Sequence, residues 1–241
     1  MLGKLASRST EREIMDDFQG DGATLESVLN DISRVNRILG GNRITINAVA
    51  RLMEAHPQQK YTIIDVGCAD GAMLKEIANY CRSQKIPVDL IGIDLNVDAL
   101  YLAKKALVDY PEIRFLQQDV LQLEKFHLNC DILTTTLMIH HFTDSQLTVL
   151  LKQFTQLAHI GVVINDLHRS RMAFYLFELF SLVFLKTETA RIDGLISIRK
   201  GFKKKDFVRF SEQLSDFHHS IGWKWAFRYL WIMQAQSPRT L

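Results

Sequence analysis

Two apolar segments joined by a glycine-rich turn constrain this 241-residue chain more than any other feature. The first segment, Tyr61–Val66, leads directly into Gly67 and Gly71, and the second, Leu90–Leu95, carries Asp94 near its end. Because glycine has no Cβ, the backbone of such a turn can approach a ligand closely. Asp94 lies 23 residues after Gly71. An acid on the second strand, about 20 residues after such a turn, can reach the hydroxyls of a ribose. The pattern therefore predicts a strand–turn–helix–strand unit that binds a ribose-bearing cofactor.

A dinucleotide fits this turn poorly. The dinucleotide fingerprint is G-x-G-x-x-G, because a pyrophosphate needs bare backbone at the start of the helix. Counting from Gly67, Ala69 and Ala72 stand where the second and third glycines belong, and Asp70 would repel a pyrophosphate. No Gly-Lys-Ser/Thr sequence follows the turn, so the phosphate-binding pattern of the nucleoside triphosphatases is also missing. A cationic cofactor without phosphate suits the turn better.

The pattern Asp65-x-Gly67-x-Ala69-x-Gly71 resembles motif I of the class I S-adenosylmethionine-dependent methyltransferases, usually written D/E-x-G-x-G-x-G. Ala69 departs from it at the middle glycine. The resemblance extends over residues 60–167 and implies S-adenosyl-L-methionine as the cofactor, with Asp94 at the ribose and Asp119 at the adenine amino group. The cofactor residues that it implies are Asp65, Gly67, Cys68, Ala69, Gly71, Asp94, Leu95, Asp119, Val120 and Thr136.

The resemblance implies an α/β fold: a Rossmann-like, seven-stranded, mostly parallel sheet with helices on both faces and an antiparallel C-terminal hairpin. Hydrophobic periodicity agrees with alternating strands and helices. It predicts helices over residues 23–39, 43–56, 71–83, 97–109 and 144–158, a fifth strand over 161–166, and two strands within 218–236. We expect an N-terminal helical cap over residues 1–57 and a cofactor-binding methyltransferase domain over 58–241.

Candidate catalytic residues follow two predicted strands. His140 and His141 come after the fourth strand, in a segment similar to motif IV of small-molecule methyltransferases, and Asp166 and His168 come after the fifth. Open α/β sheets bind their ligands at the carboxyl ends of parallel strands, where these side chains should meet. Any of these four side chains could take the proton that an acceptor loses on methylation. Arg169 could hold a substrate carboxylate or phenolate, although the pattern favours an exposed side chain.

A helical insertion over residues 168–212 follows the fifth strand and is expected to act as a lid. Its first part, residues 172–185, is apolar nearly all the way round, but its helical length of about 21 Å is short of the roughly 30 Å of a bilayer core. One interpretation buries this helix against the N-terminal helices. The other leaves it partly exposed, so that the basic run from Arg199 to Lys205 could support weak peripheral contact with anionic headgroups.

Composition excludes several classes of function. The net charge of +2 and the absence of a basic stripe with interleaved aromatics argue against nucleic acid as a partner. The three cysteines form no CxxC pair, and no set of metal ligands is evident, so we expect neither disulfides nor a metal. The N-terminal residues show no apolar core of a secretory signal, which predicts a cytoplasmic protein.

Together these features predict a methyltransferase that acts on a small, apolar or aromatic acceptor. Phenolic, quinone-like or polyketide-derived molecules of secondary metabolism fit best, with oxygen preferred to carbon as the methylated atom. A nucleic-acid methyltransferase remains open as an alternative, as does a catalytically silent protein that binds the cofactor. The sequence predicts no oligomeric state.

Overall fold

The computed structural model describes residues 5–17, 21–126 and 128–235. Gln236, the last residue of the predicted hairpin region, lies outside the described residues. The seven strands of the sheet are β1 (Tyr61–Val66), β2 (Val88–Asp94), β3 (Ile113–Gln117), β4 (Cys130–Thr136), β5 (Ala158–Leu167), β6 (Phe217–Lys224) and β7 (Arg228–Ala235). The described helices are α1 (Gly22–Ile38), α2 (Gly41–Ala55), α3 (Ala72–Gln84), α4 (Val97–Ala106), α5 (Asp144–Leu157), α6 (Arg171–Phe184), α7 (Glu188–Lys200) and α8 (Lys204–Ser211).

The strands lie in the order β3-β2-β1-β4-β5-β7-β6, and β1 to β5 run parallel. β7 is antiparallel to both of its neighbours, so the C-terminal hairpin closes one edge of the sheet. The Rossmann-like, mostly parallel sheet and its antiparallel hairpin are therefore confirmed. Because the strand order reverses between β1 and β4, a crevice opens at their carboxyl ends, where such sheets bind ligands.

Both faces of the sheet are covered, as the apolar character of the parallel strands requires. Along β1, Ile63 packs into the cluster beneath α2 and α3, and its neighbour Ile64 packs into the cluster on the opposite face. Successive residues of a strand point to opposite faces, so a continuous apolar run is needed when both are buried. Phe154 of α5 and Trp231 of β7 are fully buried in the second cluster.

Several predicted boundaries need correction. α4 ends at Ala106 instead of residue 109, because Tyr110 N donates to Leu107 O and closes a turn there. β5 begins at Ala158 directly after α5, three residues earlier than the pattern indicated. The start of α5 is as expected: Thr143 accepts a hydrogen bond from Gln146 N and forms a capping box.

The insertion after β5 forms α6, α7 and α8. The interpretation that buries α6 against the N-terminal helices is wrong for most of the helix. Ala173 and Ser181 are the only residues of α6 that are buried. The helix rests on α7, and Phe177 reaches the cluster around Val28 of α1. Its outer side exposes large apolar side chains, with Leu179 at 65% and Val183 at 73%. No helix within the described ranges has both the length and the apolarity needed to cross a membrane.

Candidate functional site

The glycine-rich turn between β1 and α3 takes a backbone course that glycine favours. Gly67 and Gly71 have φ of +73° and +74°, in the left-handed region. A Cβ on Gly67 would lie 2.4 Å from Cγ of Met138, so no larger residue fits there. Ala69, the departure from the glycine pattern, also has a positive φ of 45°. The turn thus keeps the shape of a three-glycine loop although its middle residue carries a methyl group.

Asp94, at the end of β2, fastens this turn. Its Oδ2 accepts a hydrogen bond from Ala69 N at 2.8 Å, and its Oδ1 accepts one from Asn96 N at 2.9 Å. Each carboxylate oxygen has a second lone pair, and these can accept hydroxyl donors. Asp94 lies where a ribose could bind, against the same backbone that would approach the rest of the cofactor.

Asp65 and Thr136 form the floor of the turn. Thr134 donates a hydrogen bond to Oδ1 of Asp65 at 2.8 Å. Burial and, secondarily, the charge of Asp94 raise the pKa of Asp65 to about 7, against the effect of the Thr134 hydrogen bond. Thr136, at the end of β4, lies with its Oγ1 3.1 Å from Oγ1 of Thr45 in α2, so the N-terminal helices are tied to the strand that borders the turn.

A cavity of about 610 Å³ opens above these strand ends. This volume lies within the range of roughly 300–1,000 Å³ that is usual for small-molecule sites. Its lining from the predicted cofactor set consists of Asp65, Gly67, Cys68, Ala69, Asp94 and Thr136. Apolar residues from three other helices complete the wall: Leu25, Leu29 and Ile32 of α1, Leu176, Phe177 and Phe180 of α6, and Ala190 of α7.

Several predicted residues do not line this cavity: Gly71, Leu95, Asp119, Val120, Asp166 and His168. The carboxylate of Asp119 accepts hydrogen bonds from Leu121 N and Gln122 Nε2 of its own turn. His168 lies on the other side of the strand end, where its Nδ1 accepts a hydrogen bond from Trp223 Nε1 at 3.3 Å. Burial, together with the nearby charges of Lys203 and Arg169, lowers the pKa of His168.

His140 and Asp166 do come together. Nδ1 of His140 lies 2.8 Å from Oδ1 of Asp166, and both side chains are buried. Burial by itself would favour a neutral imidazole, but Asp166 and Glu13 outweigh it and raise the pKa of His140 to about 9. His140 lines the cavity, and no hydrogen-bond partner for its Nε2 is found among the described residues. Asp166 therefore fixes the tautomer of a histidine that lines the cavity.

Glu13 completes this polar end of the cavity, and sequence reasoning missed it. Asp193 of α7 accepts hydrogen bonds from Ile14 N and Met15 N at 2.7 and 3.0 Å, which fixes the segment that carries Glu13. Oε1 of Glu13 lies 3.5 Å from His140 Nε2. Burial would raise the pKa of Glu13, but His140, His141 and Lys200 lower it to about 2.

Glu13, His140 and His141 also form a group that could hold a metal ion, with ligand atoms within 4.8 Å of one another. The expectation that no ligand set exists therefore overlooked one arrangement, because Glu13 is remote in sequence from the two histidines. The side chain of Lys200 already lies beside this group. Lys200 Nζ lies 3.2 Å from Oε1 of Glu13 and 3.4 Å from Nδ1 of His141. This ammonium group neutralises the carboxylate that a metal would need.

The arginine prediction is also corrected. Arg169 is 3% exposed, and it donates hydrogen bonds to the carbonyl of Gly201 and to Asp206. It does not line the cavity, whereas Arg228, at the start of β7, does. Of the lysines and arginines in the described part of the chain, Arg228 is the one in the cavity wall.

The charges of the cavity decide which cofactor it fits. Its acidic lining consists of Glu13, Asp16, Asp65, Asp70, Asp94 and Asp193. Asp70 stands at the start of α3, where its Oδ1 accepts a hydrogen bond from Ala72 N and its Oδ2 accepts one from Ser33. A pyrophosphate would meet carboxylates where it needs bare amides, whereas a sulfonium would be attracted. The residues therefore fit S-adenosylmethionine.

Comparisons with known proteins agree with this geometry. A sequence-family profile described as a methyltransferase domain matches residues 63–161. The plantazolicin methyltransferase BpumL, solved with SAH, superposes with a TM-score of 0.65 at 15% identity, over 90% of this chain and 91% of that one. Magnesium protoporphyrin IX methyltransferase from Synechocystis PCC 6803, solved with SAM, gives 0.60 at 13% identity, over 96% and 99%. A search of curated protein sequences found no match.

Proposed function

We propose that this chain, which contains a methyltransferase domain over residues 63–161, transfers the methyl group of S-adenosylmethionine to a small, apolar or aromatic acceptor. One observation carries the proposal: the motif I turn and His140, which is paired with Asp166, line the same cavity. The cofactor supplies an electrophilic methyl group on a sulfonium. The chain's own residues then have to bind both partners, orient them and accept a proton. Orientation alone can contribute roughly 7–11 kcal/mol.

The proposed base is Nε2 of His140, held in position by Asp166. A phenol has a pKa near 10, close to the value of about 9 to which Asp166 and Glu13 raise the pKa of His140. Proton transfer from a phenolic oxygen to His140 is therefore nearly balanced, which general-base catalysis requires. An aliphatic alcohol is a much weaker acid and is matched poorly. This comparison favours a phenolic or enolic acceptor over an aliphatic alcohol, and we propose its oxygen as the methylated atom.

The acceptor's apolar part would lie against α1 and α6. Ile32, Phe177 and Phe180 line the cavity at that side, while polar groups lie at the turn, at the histidine end and around Arg228. A few placed polar groups in an apolar pocket suit a small aromatic ring, as in a quinone-like or polyketide-derived molecule. We propose that the N-terminal segment, residues 1–57, is the cap of this pocket. The three cysteines are free and buried, which supports a reducing compartment such as the cytoplasm.

The exposed face of α6 supports a second element of the proposal, peripheral membrane contact. Met172, Leu179 and Val183 are 63–73% exposed, with exposed Arg171 and Lys186 at the two ends of the helix. The basic run contributes less than its sequence implied: Lys200 is buried against Glu13, and Arg199 pairs with Glu11. Wild-type protein should sediment with anionic vesicles at low salt, and Leu179→Glu with Val183→Glu should not. Val108→Glu, at a position 78% exposed after α4, is the control.

Calorimetry and a methyl-transfer assay test the proposed function. Wild-type protein should bind S-adenosylmethionine and S-adenosylhomocysteine, and mass spectrometry should detect methyl ethers formed from a panel of phenols. Absence of binding to well-folded protein would refute the proposal. Binding without any transfer would favour a silent cofactor-binding protein, and methylation of bulk tRNA would favour a nucleic-acid methyltransferase.

A further inference from the structure

Arg228 lines the cavity and has spare hydrogen-bond donors. It is 2% exposed and pairs with Leu167 across the strands β7 and β5. Its Nη2 donates a hydrogen bond to Oδ1 of Asn36 in α1 at 2.5 Å. Within the described part of the chain, its Nε and Nη1 are buried without a hydrogen-bond partner. A guanidinium has five N–H donors, and leaving several of them unused inside a protein is costly.

The charge of Arg228 is also poorly matched by its surroundings. Burial lowers its pKa to about 10, and the opposing influence comes from Asp166. That carboxylate is already engaged by His140 and by the backbone amide of Leu167. A buried charge without a close partner is unfavourable, and a carboxylate of a bound ligand would supply the missing counter-charge.

The guanidinium is connected through a chain of contacts to Thr136, which forms part of the floor of the motif I turn. Gly41, at the start of α2, packs against it so closely that a Cβ there would lie 2.8 Å from Cζ of Arg228. The carbonyl of Gly41 accepts a hydrogen bond from Asn165 Nδ2, which also donates to Thr45 Oγ1. Thr45 in turn contacts Thr136 at the end of β4. Arg228 is thus connected to the strand that borders the motif I turn.

We infer that Arg228 binds a carboxylate inside this cavity, either the amino-acid carboxylate of the cofactor or a carboxylate of the acceptor. The inference rests on the proposed function, because that function brings such a ligand to the cavity. The carboxylates of the lining would repel an anion, and Arg228 is the one lysine or arginine of the described residues in that lining, so a carboxylate is expected to bind beside it. Planar carboxylates match the fork of a guanidinium, and each of the two unpartnered nitrogens, Nε and Nη1, can donate to a carboxylate oxygen.

The first arm of the experiment tests the cofactor as the source. Calorimetry would compare S-adenosylhomocysteine with its decarboxylated analogue, which keeps the amine, on wild-type, Arg228→Gln and Arg228→Lys proteins. If Arg228 holds the cofactor carboxylate, Arg228→Gln should weaken binding of S-adenosylhomocysteine about tenfold or more. The decarboxylated analogue should bind both proteins equally, and Arg228→Lys should recover part of the loss.

The second arm tests the acceptor. In protein saturated with S-adenosylhomocysteine, 4-hydroxybenzoate should bind better than 4-hydroxybenzamide, and Arg228→Gln should abolish that preference. A third measurement needs no variant: the Nε–H signal of Arg228 in wild-type protein labelled with [¹⁵N]arginine should shift on addition of the carboxylate ligand only.

The outcomes separate the two proposals. If wild-type protein binds no S-adenosylhomocysteine, the proposed function fails. If it binds S-adenosylhomocysteine, but neither arm depends on Arg228 and the Nε–H signal does not move, the carboxylate site is refuted and the cofactor claim stands. If Arg228→Gln does not fold, two other measurements decide the question. One is ligand binding by Asn36→Ala, which removes the hydrogen bond that holds the guanidinium. The other is the Nε–H signal of Arg228 in the wild-type protein.

Discussion

His140 and Asp166 face each other at 2.8 Å from the ends of two adjacent strands, and both side chains are shielded from solvent. The pair places one imidazole nitrogen against a carboxylate, and His140 lines the cavity that the motif I turn borders. Such a dyad sets the tautomer and the basicity of the histidine together. Its proposed catalytic role yields the first two predictions.

The rate of methyl transfer to a phenol should rise with pH. Because Asp166 and Glu13 overcome the effect of burial and raise the pKa of His140 to about 9, most of this histidine is protonated at neutral pH and cannot accept a proton. Its neutral fraction grows about tenfold per pH unit below that pKa. Accordingly, kcat/KM should increase about tenfold per unit from pH 7 and level off near pH 9. His140→Gln should be slow with a flat profile. A steep rise retained in this variant would assign the ionisation to the acceptor.

Asp166→Asn should lower the rate and move the pH profile. The carboxylate of Asp166 favours the charged imidazole, so its loss should lower the pKa of His140. The rise of kcat/KM with pH should therefore begin at a lower pH than in the wild-type enzyme. Loss of orientation should reduce kcat about 10²-fold or more. Circular dichroism and thermal melting would establish that the variant is folded. A reduced rate with an unmoved pH profile would indicate a structural effect instead of a positioning one.

Asp94→Asn should weaken cofactor binding more than acceptor binding. The carboxylate fastens Ala69 and Asn96 and keeps lone pairs for a ribose, and a hydrogen bond to a charged group contributes roughly 1.5–3 kcal/mol. We expect the Kd for S-adenosylhomocysteine to rise about 10- to 100-fold by calorimetry. Asp98→Asn, in the exposed first turn of α4, provides the matched control and should bind normally. Equal affinities for all three proteins would contradict the assignment of Asp94.

The features that the sequence predicts correctly are local ones. Examples are the course of the glycine-rich turn, the cap at Thr143 and the strands around Asp94. Each depends on neighbours within a few residues, so its pattern can be recognised in the sequence. Asp119 shows the limit of that reasoning. An acid after a strand can serve a ligand or its own turn, and the side chain here accepts hydrogen bonds from its own turn. Its contact with adenine stays a prediction.

The features that the sequence could not predict depend on distant parts of the chain. Glu13 and Arg228 reach the cavity from the two ends of the chain, and neither lies in a motif. The orientation of α6 could not be predicted either, because a helix that is apolar all the way round has no periodic stripe to identify its buried side. Only the positions of α7 and α1 determine which apolar side chains of α6 turn inward.

Ala69→Gly should stabilise the protein. Ala69 has a φ of 45°, and a side chain in the left-handed region is unfavourable by about 1–2 kcal/mol, although glycine loses part of this gain through the entropy of the unfolded chain. We expect the free energy of unfolding to increase by about 0.5–1 kcal/mol in urea titrations. Ala50→Gly, at a partly exposed interior position of α2, should instead decrease it by a similar amount. If both substitutions destabilise the protein equally, the methyl group of Ala69 is not strained, and its place in the turn would have to reflect contacts that glycine cannot make.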